Sequence, residues 1–458
     1  MTSRRVVVVG GGISGLAAAW AIQQGAPRVP ASLDVLVLER DEEVGGKAHT
    51  VRRDGWLVEG GPAGYLSGRP AMERMVASIG MAEDVIRALR ASARRYVFRE
   101  GRMRRVIASP VGLVRSGLLT VTGAARLLGD LVVRRRPADA EDEESVWNFA
   151  ARRLGAEVAD RLVSPLCLGV YAGDARRLSL AAAFPRMAAL EQEHGSLIRG
   201  MLAKRGRMSF GKLTSFRHGM QSLPRALATR GGFTVRCGAH VRALSRTASG
   251  WSVMVDGDRE PIPADAVVLA AEPWASAELL RALDPAAAAQ LAAIPCPFVG
   301  IVALGYGPSA LKRVPIGFGV LFSRGEDIRM LGNLWETQVY PGRGPEGHVL
   351  IRALFGGSVD HDASSFDADQ LSALARAEIA QLYGISDAPV FEYVKRITRA
   401  IPQYEIGHRE RVGRVERALE ALPGLAMTGF GLRGVAFADA ASDGVQCGER
   451  VVQRLIAD

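Results

Sequence analysis

The stretch Val6-Val7-Val8-Val9-Gly10-Gly11-Gly12-Ile13-Ser14-Gly15-Leu16 decides the fold of this 458-residue chain. Four consecutive valines predict a strand that is buried on both faces. The spacing Gly10-x-Gly12-x-x-Gly15 then predicts a tight turn, and the alanine-rich residues up to Gln24 predict a helix. A strand, a glycine turn and a helix in this order are the context of a dinucleotide-binding fingerprint, in which the helix N-terminus receives a pyrophosphate. A glycine-rich turn without a ligand is the alternative.

The residues after this helix indicate which nucleotide is bound. A second predicted strand, residues 35–38, ends at Glu39, whose carboxylate is placed to bind ribose hydroxyls and to repel a 2′-phosphate. The Gly45-Gly46 pair is typical of flavoproteins of the glutathione-reductase-like class. The later Gly/Pro loop at residues 58–64, which contains Gly61-Pro62-Ala63-Gly64, is expected to pass close to the flavin. Ordinary turn chemistry is the alternative for each loop taken alone. Together they predict FAD, held non-covalently because no Cys or His lies in a recognisable flavin-attachment motif.

Composition argues against several other classes of protein. Hydrophobic residues make up 48% of the chain, which is typical of a globular protein with more than one core. The cysteines stand apart without a CxxC pair and the histidines lack ligand spacing, so neither a disulfide framework nor a metal site is expected. No uncharged window is long enough to span a membrane, and the first strand starts too early for a signal peptide. We therefore expect a cytoplasmic protein.

The formal net charge of +10 comes from one region. Residues 87–136 contain thirteen arginines and only two acids, Glu100 and Asp130. Within this region, residues 111–133 are largely apolar and predict a pair of amphipathic helices, which the run of arginines at 134–136 follows. An apolar helical surface bordered by arginines is typical of an interfacial membrane anchor. A solvated basic face over an ordinary core is the alternative, and nucleic acid is not expected because no recognition motif accompanies the charge.

The rest of the chain alternates between helical and strand-rich segments. Residues 139–144 form a predicted acidic hinge, and residues 168–174 a predicted turn. From residue 233 to residue 357 several short β-rich runs lie close together, and their spacing predicts an antiparallel sheet. The last motif, residues 425–437, joins a short strand to glycines and a C-terminal helix. The N-terminus of that helix is suited to stabilise negative charge on a reduced flavin.

Several longer motifs are more specific than the nucleotide fingerprint. They are Gly169-Val170-Tyr171-Ala172-Gly173-Asp174, Glu193-His194-x-Ser196, Ile401-Pro402-Gln403-Tyr404-x-x-Gly407-His408 and Gly434-Val435. Together with the N-terminal glycines, they give the chain a resemblance over nearly its whole length to the protoporphyrinogen IX oxidase family. The resemblance implies an FAD-dependent, oxygen-dependent enzyme that removes six electrons from protoporphyrinogen IX and releases hydrogen peroxide. The alternatives are coproporphyrinogen III as substrate, a related amine oxidase or carotenoid desaturase, and a non-catalytic FAD or tetrapyrrole carrier.

The resemblance also implies a domain organisation. An α/β domain of the Rossmann-like, glutathione-reductase-like type would bind FAD and comprise residues 1–70, 214–272 and 411–458. Residues 71–213 would form a helical membrane-binding domain, and residues 273–410 a substrate-binding domain with an antiparallel sheet. The protein would associate peripherally with the cytoplasmic membrane, and its partners would be the porphyrinogen and molecular oxygen. A homodimer is left open.

Site residues carry over from the family motif by motif. Those expected to contact FAD lie in the glycine-rich turns, after the second strand and at the C-terminal helix: Gly10, Gly11, Gly12, Ile13, Ser14, Gly15, Glu39, Arg40, Gly45, Gly46, Lys47, Gly61, Pro62, Ala63, Gly64, Val241, Gly429, Gly434, Val435, Ala436 and Phe437. Those expected to contact the porphyrinogen are Arg95, as the partner of a propionate, and Gly169, Phe318, Leu321 and Leu354, as the wall of the pocket. The chain departs from the family at Ala438, where an asparagine is usual.

The implied chemistry does not require a protein side chain as a strong acid or base. Oxidising a porphyrinogen removes a hydride from a ring-bridging methylene and a proton from a pyrrole nitrogen, and the electron-rich macrocycle stabilises the cation left behind. Catalysis is therefore expected to be chiefly positioning. No acid or base is assigned; Gly169 and His408 are the candidates for a catalytic role. The proline and glycine around His408 favour a structural turn, with a role as proton acceptor as the alternative.

Overall fold

The structure is a computed structural model that describes residues 3–137, 142–204 and 211–457, so residues 139–141 of the predicted acidic hinge lie outside the described part. The strands of the described residues are, in chain order, β1 (Ser3–Val9), β2 (Ser32–Leu38), β3 (Thr50–Arg53), β4 (Trp56–Glu59), β5 (Tyr65–Leu66), β6 (Val85–Arg87), β7 (Tyr96–Arg99), β8 (Arg102–Arg105), β9 (Leu213–Phe216), β10 (Thr234–Arg236), β11 (Val241–Thr247), β12 (Gly250–Val255), β13 (Ile262–Ala264), β14 (Ala266–Leu269), β15 (Val299–Tyr306), β16 (Gly319–Phe322), β17 (Gly332–Trp335), β18 (Val349–Gly356), β19 (Phe391–Ile397) and β20 (Leu425–Met427).

The α-helices of the same residues are α1 (Ile13–Gly25), α2 (Pro70–Ser78), α3 (Pro110–Arg115), α4 (Val121–Arg126), α5 (Val146–Leu154), α6 (Ala156–Val158), α7 (Ser164–Tyr171), α8 (Leu180–Ala183), α9 (Pro185–His194), α10 (Leu197–Ala203), α11 (Ser222–Arg230), α12 (Pro273–Leu280), α13 (Pro285–Ala292), α14 (Pro308–Leu311), α15 (Glu336–Val339), α16 (Ala368–Tyr383), α17 (His408–Glu420) and α18 (Phe437–Ala457).

A sheet with the strand order β10-β2-β1-β14-β20 carries the first motif, and its strands run parallel. The predicted strand, glycine turn and helix are confirmed, since β1 ends at Val9 and α1 begins at Ile13. Val6 and Val8 pack into one hydrophobic core, and Val7 and Val9 pack into another. β1 is thus buried on both faces, as its run of valines predicts.

The prediction of one antiparallel sheet from residue 233 to residue 357 is wrong for the first part of that range. β10 and β14 pair in parallel with β2 and β1, while β11, β12 and β13 form a separate antiparallel sheet. A run of β-branched residues indicates a buried strand, but the connection that returns the chain to the sheet decides which strand it joins. The strand sequences therefore do not specify their partners.

A second large sheet has the order β19-β15-β18-β17-β16-β7-β8. Its neighbours are antiparallel except for β16 and β7, which run parallel. β7 and β8 come from residues 96–105, so the prediction of a helical region over residues 71–213 is wrong there. The β-prone run Tyr96-Val97-Phe98 and the tight turn at Glu100-Gly101 form a hairpin that extends this sheet.

Residues 110–131 form three short helical segments, α3, α4 and a 3₁₀ turn at Leu127–Leu131, instead of the predicted pair of amphipathic helices. Gly117, with φ of +73°, follows α3 and stops it from continuing. Four apolar side chains of this region are exposed, and together they are called its apolar outer side: Val111, Val121, Leu128 and Val132, with 62%, 73%, 60% and 82% of their surface accessible. Along the described ranges, no helix combines the length and the apolarity that a bilayer crossing requires.

A buried network of charges joins this region to α9 and α10. The Arg153 guanidinium lies 3.1 Å from the Asp130 carboxylate and 2.7 Å from that of Glu191. Asp130 also accepts hydrogen bonds from the Ser196 hydroxyl and the Ile198 N–H. Buried charges require such partners, and removing one of them leaves the others uncompensated. The network therefore fixes the base beneath the exposed apolar residues.

The predicted turn at residues 168–174 begins only after Tyr171, because residues 168–171 belong to α7. Pro165 lies in the first turn of this helix, where its missing N–H leaves no intrahelical bond unmade. Ala172, in the left-handed conformation, ends the helix. Gly169 is therefore a helical residue. Because it has no side chain, a neighbouring element can approach the backbone of α7 closely at this position.

Candidate active site

The N-terminus of α1 has the geometry of a phosphate cradle. A Cβ on Gly15 would lie 2.0 Å from the Gly10 carbonyl oxygen, whereas a Cβ on Gly12 would have no neighbour within 4 Å. Gly15 thus allows the close turn, and Gly12 leaves open space before the helix. Ile13 and Ser14 are buried in the first turn of α1. The open space and the free helix N–H groups suit a pyrophosphate.

Glu39 lies beside this cradle at the end of β2. Its carboxylate accepts the Gly11 N–H at 2.6 Å and the Asp41 N–H at 2.9 Å. Burial raises the pKa of Glu39, and the two amide donors act in the opposite direction. Each oxygen keeps a lone pair for a ribose hydroxyl. The structure therefore brings Glu39 and the glycine turn together, as the sequence predicts.

The Gly45-Gly46 turn lies over the same cradle. Gly12 and Gly45 form a parallel bridge, and a Cβ on Gly46 would lie 3.5 Å from the Gly12 Cα. Lys47 follows and forms an ion pair with Glu272, which stands just after β14. The site residues predicted from separate parts of the chain thus converge on one crevice at the carboxyl ends of the parallel strands.

The loop Gly61-Pro62-Ala63-Gly64 is tightly packed. A Cβ on Gly61 would lie 1.8 Å from the Lys47 carbonyl oxygen, and a Cβ on Gly64 would lie 2.0 Å from the Tyr340 hydroxyl. Arg352 of β18 donates to the Gly61 carbonyl at 2.8 Å and pairs with Glu336 at 2.6 Å. Sequence reasoning missed Arg352, because a charged residue inside an otherwise apolar strand gives no sign of its partner.

The C-terminal loop before α18 is held on two sides. The Tyr404 hydroxyl donates to the Phe430 carbonyl, and His408 Nε2 lies 3.0 Å from the Leu432 carbonyl oxygen. Asp443 of α18 accepts hydrogen bonds from the Thr428 hydroxyl at 2.6 Å and the Gly429 N–H at 3.3 Å. This loop contains the predicted cofactor residues Gly429, Gly434, Val435 and Ala436 and leads into Phe437.

His408 is a buried, neutral side chain. Only 2% of it is exposed, and its ring stacks on Tyr404 with centroids 4.1 Å apart. Burial lowers the pKa of His408 to about 4. Its Nδ1 has no hydrogen-bond partner among the described residues. These contacts favour the structural role over the role of proton acceptor, because the imidazole is directed at a backbone carbonyl and shielded from solvent.

Two of the predicted substrate residues, Leu321 and Leu354, lie in one row of the second large sheet. Val97, Leu321, Gly332, Leu354 and Ile301 are successive cross-strand partners. Side chains at paired positions point to the same face, so this row forms a continuous apolar wall. A Cβ on Gly332, in its centre, would lie 3.0 Å from Leu321 Cδ2, so Leu321 packs over this glycine. It was missed because an isolated glycine in a strand resembles any bend.

The three other predicted substrate residues lie near Leu321 or the start of β16. Across from the wall, a Cβ on Gly169 would lie 2.4 Å from Leu321 Cδ2, so α7 covers the wall at its glycine. The exposed Arg95 lies with its guanidinium carbon 5.4 Å from the centre of the Phe318 ring. The predicted substrate residues are thus carried by α7 and by neighbouring strands of this sheet, and the region that they border is called the slot below.

The slot extends towards the predicted cofactor crevice. Lys395 pairs with Ile301 in the next strand of the same row, and its Cδ would lie 2.9 Å from a Cβ on Gly60. Burial and the nearby Lys47 lower the pKa of Lys395. Val241 and Arg40 lie outside the slot: Val241 begins β11, and Arg40 directly follows Glu39. Lys395 was missed, since a lone lysine in a strand carries no motif.

Comparison with known proteins shows the family of this chain. The family model for flavin-containing amine oxidoreductases matches residues 13–452. The chain belongs to that family. Members of the flavin-containing amine oxidoreductase family are flavoproteins, and the chain is accordingly an FAD-dependent oxidoreductase with a mixed α/β FAD-binding fold. The cradle at Gly12, the Glu39 carboxylate and the Gly45-Gly46 turn fit that cofactor.

Named relatives within the family are porphyrinogen oxidases. The coproporphyrinogen III oxidase of Bacillus subtilis (strain 168) is 30% identical, and the alignment covers 96% of each chain. The chloroplastic protoporphyrinogen oxidase of Nicotiana tabacum is 30% identical over 94% of this chain and 82% of its own. A crystal structure from Exiguobacterium sp. 255-15 has the same fold, with a TM-score of 0.85 at 24% identity over 99% of both chains.

Proposed function

We propose that this protein is an oxygen-dependent oxidase that converts protoporphyrinogen IX to protoporphyrin IX, with the oxidation of coproporphyrinogen III to coproporphyrin III as the alternative. The observation that carries the proposal is the slot, whose apolar row Leu321–Gly332–Leu354 lies under α7 and has Arg95 beside it. A porphyrinogen is a broad apolar ring with propionate side chains, so it needs a wide apolar wall and a cation at its edge.

The predicted cofactor residues would place the flavin at the inner end of this slot. When bound, FAD supplies a two-electron acceptor for a hydride from a bridging methylene, and molecular oxygen, reduced to hydrogen peroxide, regenerates it. Lys395 lies beside Gly60, and Lys47, whose ammonium pairs with Glu272, is near enough to lower the pKa of Lys395. The N-terminus of α18 adds a helix dipole directed the same way. These groups would stabilise the charge that develops during the reaction.

The slot supports positioning as the main source of catalysis. His408 is buried and its imidazole faces the Leu432 carbonyl, so it is not placed to accept a proton from a ligand in the slot. Gly169 acts by letting α7 approach Leu321 closely, because a side chain there would displace Leu321. A substrate held in the slot would be oriented through Arg95 and the apolar wall. Three rounds of two-electron oxidation complete the reaction.

The amine oxidase alternative requires a different slot. A small cationic amine would favour facing aromatic side chains and no guanidinium at the entrance. Here the wall is aliphatic at Leu321 and Leu354, and Arg95 stands beside Phe318. These features favour a large ligand with carboxylates.

Peripheral membrane association is part of the proposal. The exposed side chains of Val111, Val121, Leu128 and Val132 form an apolar outer side, and residues 87–136 carry thirteen arginines. Apolar residues that enter the headgroup region and arginines that attract anionic lipid act together. The poorly soluble porphyrinogen would then be met at the surface into which it partitions.

The test is turnover of the purified FAD-loaded protein with each porphyrinogen, followed by porphyrin fluorescence and oxygen uptake. We expect porphyrin formation well above uncatalysed oxidation, with non-covalent FAD released by acid precipitation. Putrescine or another primary amine should give no oxygen uptake. Turnover of amines without turnover of either porphyrinogen would overturn the proposal in favour of the amine oxidase alternative.

A further inference from the structure

The loop at residues 60–64 lies on the same face of the second large sheet as the slot wall. Arg352 precedes the wall residue Leu354 by two positions in β18, so their side chains point to one face. Lys395 ends the row of cross-strand partners that contains Leu354, and its Cδ would lie 2.9 Å from a Cβ on Gly60. The loop is therefore packed beside the row that forms the wall.

Arg352 joins this loop to the sheet through its guanidinium. Its Nη1 donates to the Gly61 carbonyl at 2.8 Å and to the Glu59 carbonyl at 3.3 Å, and its Nε donates to the Glu336 carboxylate at 2.6 Å. Both Arg352 and Glu336 are buried. Because the donors of a guanidinium form a rigid planar fork, these contacts fix both the distance and the direction of the loop.

The same loop also packs against the cofactor crevice. A Cβ on Gly61 would lie 1.8 Å from the Lys47 carbonyl oxygen, so the loop touches the chain that follows the Gly45-Gly46 turn. A buried ion pair adds little stability compared with apolar side chains of similar volume. What Arg352 adds is a directed contact between the sheet that carries the wall and the loop that borders the predicted cofactor site.

We infer that Arg352 is a positioning residue, which fixes the loop at Gly61 relative to Leu354 and thereby sets the spacing between the flavin and a ligand on the slot wall. The inference rests on the proposed function, which makes the slot the substrate site, and on the prediction that this loop passes close to the flavin. Reacting atoms must lie about 3–3.5 Å apart, and a misplacement of about 1 Å can cost about a hundredfold in rate. The rate of flavin reduction therefore depends on Arg352 more strongly than substrate binding does.

The test variant is the double substitution Arg352→Met with Glu336→Gln, which removes both buried charges so that neither is left uncompensated. Loss of charge-assisted hydrogen bonds to the loop should make the holoenzyme release FAD about tenfold faster on dilution, measured by flavin fluorescence. The visible absorbance and circular dichroism of the bound flavin should also change. Anaerobic flavin reduction by porphyrinogen should slow about ten- to a hundredfold at saturation, while KM changes less than about twofold.

Two single variants separate the loop contacts from the ion pair. Arg352→Lys keeps a cation opposite Glu336 but lacks the planar fork, so it should lose less stability than the double variant and change FAD release and the flavin spectrum in the same direction. In Glu336→Gln the amide oxygen still accepts from Arg352, and the donors to the loop carbonyls remain. This variant should therefore release FAD as the wild type does.

Arg343→Met is the matched control for the loss of a buried arginine. Arg343 is fully buried, and its Nη2 lies 3.7 Å from the Glu59 carboxylate and donates to the Ser215 hydroxyl at 2.7 Å. Burial raises the pKa of Glu59 to about 7, so Glu59 can take up a proton when Arg343 is removed. We expect a lower melting temperature with unchanged FAD release and an unchanged flavin spectrum.

Two results would overturn the inference and leave the proposed function standing. One is wild-type FAD release and a wild-type flavin spectrum in both Arg352 variants. The other is an equal change of these properties in the Arg343 variant, which would make Arg352 an ordinary structural residue. Failure of the wild type to oxidise either porphyrinogen would overturn the proposed function instead, whereas FAD release and the flavin spectrum would still test the hold of Arg352 on the loop.

Discussion

His408 offers the sharpest test of a mechanism that uses no protein base. His408→Ala removes the contact of Nε2 with the Leu432 carbonyl at 3.0 Å and the ring stacked on Tyr404 at 4.1 Å. The hydrogen bond and the stack each contribute about 1 kcal/mol, and the cavity left by the substitution costs about 1 kcal/mol more. We expect the free energy of unfolding to fall by about 3 kcal/mol and FAD to be held less tightly. In FAD-saturated enzyme, flavin reduction should slow by less than about tenfold.

The pH dependence of stability follows from the same burial. The pKa of His408 is lowered from 6.5 to about 4, so its neutral form contributes stability that is fully present above pH 6.5 and is lost as the pH falls towards 4. A shift of this size corresponds to about 3 kcal/mol. His408→Asn, which cannot titrate there, should lose that much less stability than the wild type between these two pH values. Thermal unfolding from pH 4 to pH 8 measures the difference.

The assay for the chemical role is anaerobic stopped-flow mixing of the FAD-saturated variant with porphyrinogen. His361→Ala is the matched control, since His361 is an exposed histidine in the 3₁₀ turn before α16 and is not among the predicted site residues. A fall of more than about a thousandfold in flavin reduction, with normal substrate binding and normal stability, would refute the base-free mechanism and make His408 the proton acceptor.

Three other changes test the slot and the outer apolar side. Arg95→Ala should lower kcat/KM about ten- to a hundredfold, mainly through KM and with unchanged FAD content, because it removes a charge-assisted partner of a propionate. Unaltered kinetics would show that Arg95 is an ordinary surface residue. Gly169→Ala places a Cβ 2.4 Å from Leu321 Cδ2. It should raise KM and slightly lower the melting temperature, because displacing Leu321 costs more than alanine gains in helix propensity. An unchanged KM would show that this close approach does not shape the slot. Val132→Glu should weaken sedimentation of the protein with anionic vesicles. Val390→Glu, at another exposed valine, is the control and should not weaken it. Equal effects of the two substitutions would show that the apolar outer side does not bind the membrane.

Local signals in the sequence were enough to predict the parallel strand, the glycine turn and the helix that would bind the cofactor. The four valines, the glycine spacing and Glu39 each act on neighbours within a few residues or at a strand end, so their roles follow from backbone sterics and hydrogen bonding. β1, α1 and the contact between Glu39 and the Gly11 N–H were therefore predictable. The resemblance to a family added Arg95 and the wall residues, whose role in binding a substrate stays a prediction.

Long-range pairing was not predictable from those signals. β10 and β14 have the composition of any buried strand, so nothing in them indicates that they join the parallel sheet. Gly169 was predicted in a turn because glycine and proline nearby suggest one, yet Pro165 is tolerated in the first turn of α7. Arg352 and Lys395 acquire their partners only when distant elements meet.

The central claim is that electrons pass from a porphyrinogen in the slot to bound FAD. The most direct measurement mixes the oxidised holoenzyme anaerobically with coproporphyrinogen III or protoporphyrinogen IX and follows the flavin absorbance and the porphyrin fluorescence together. The account predicts rapid bleaching of the flavin and, after oxygen is admitted, three molecules of oxygen consumed for each porphyrin formed. A flavin that stays oxidised with both porphyrinogens present in excess would contradict it.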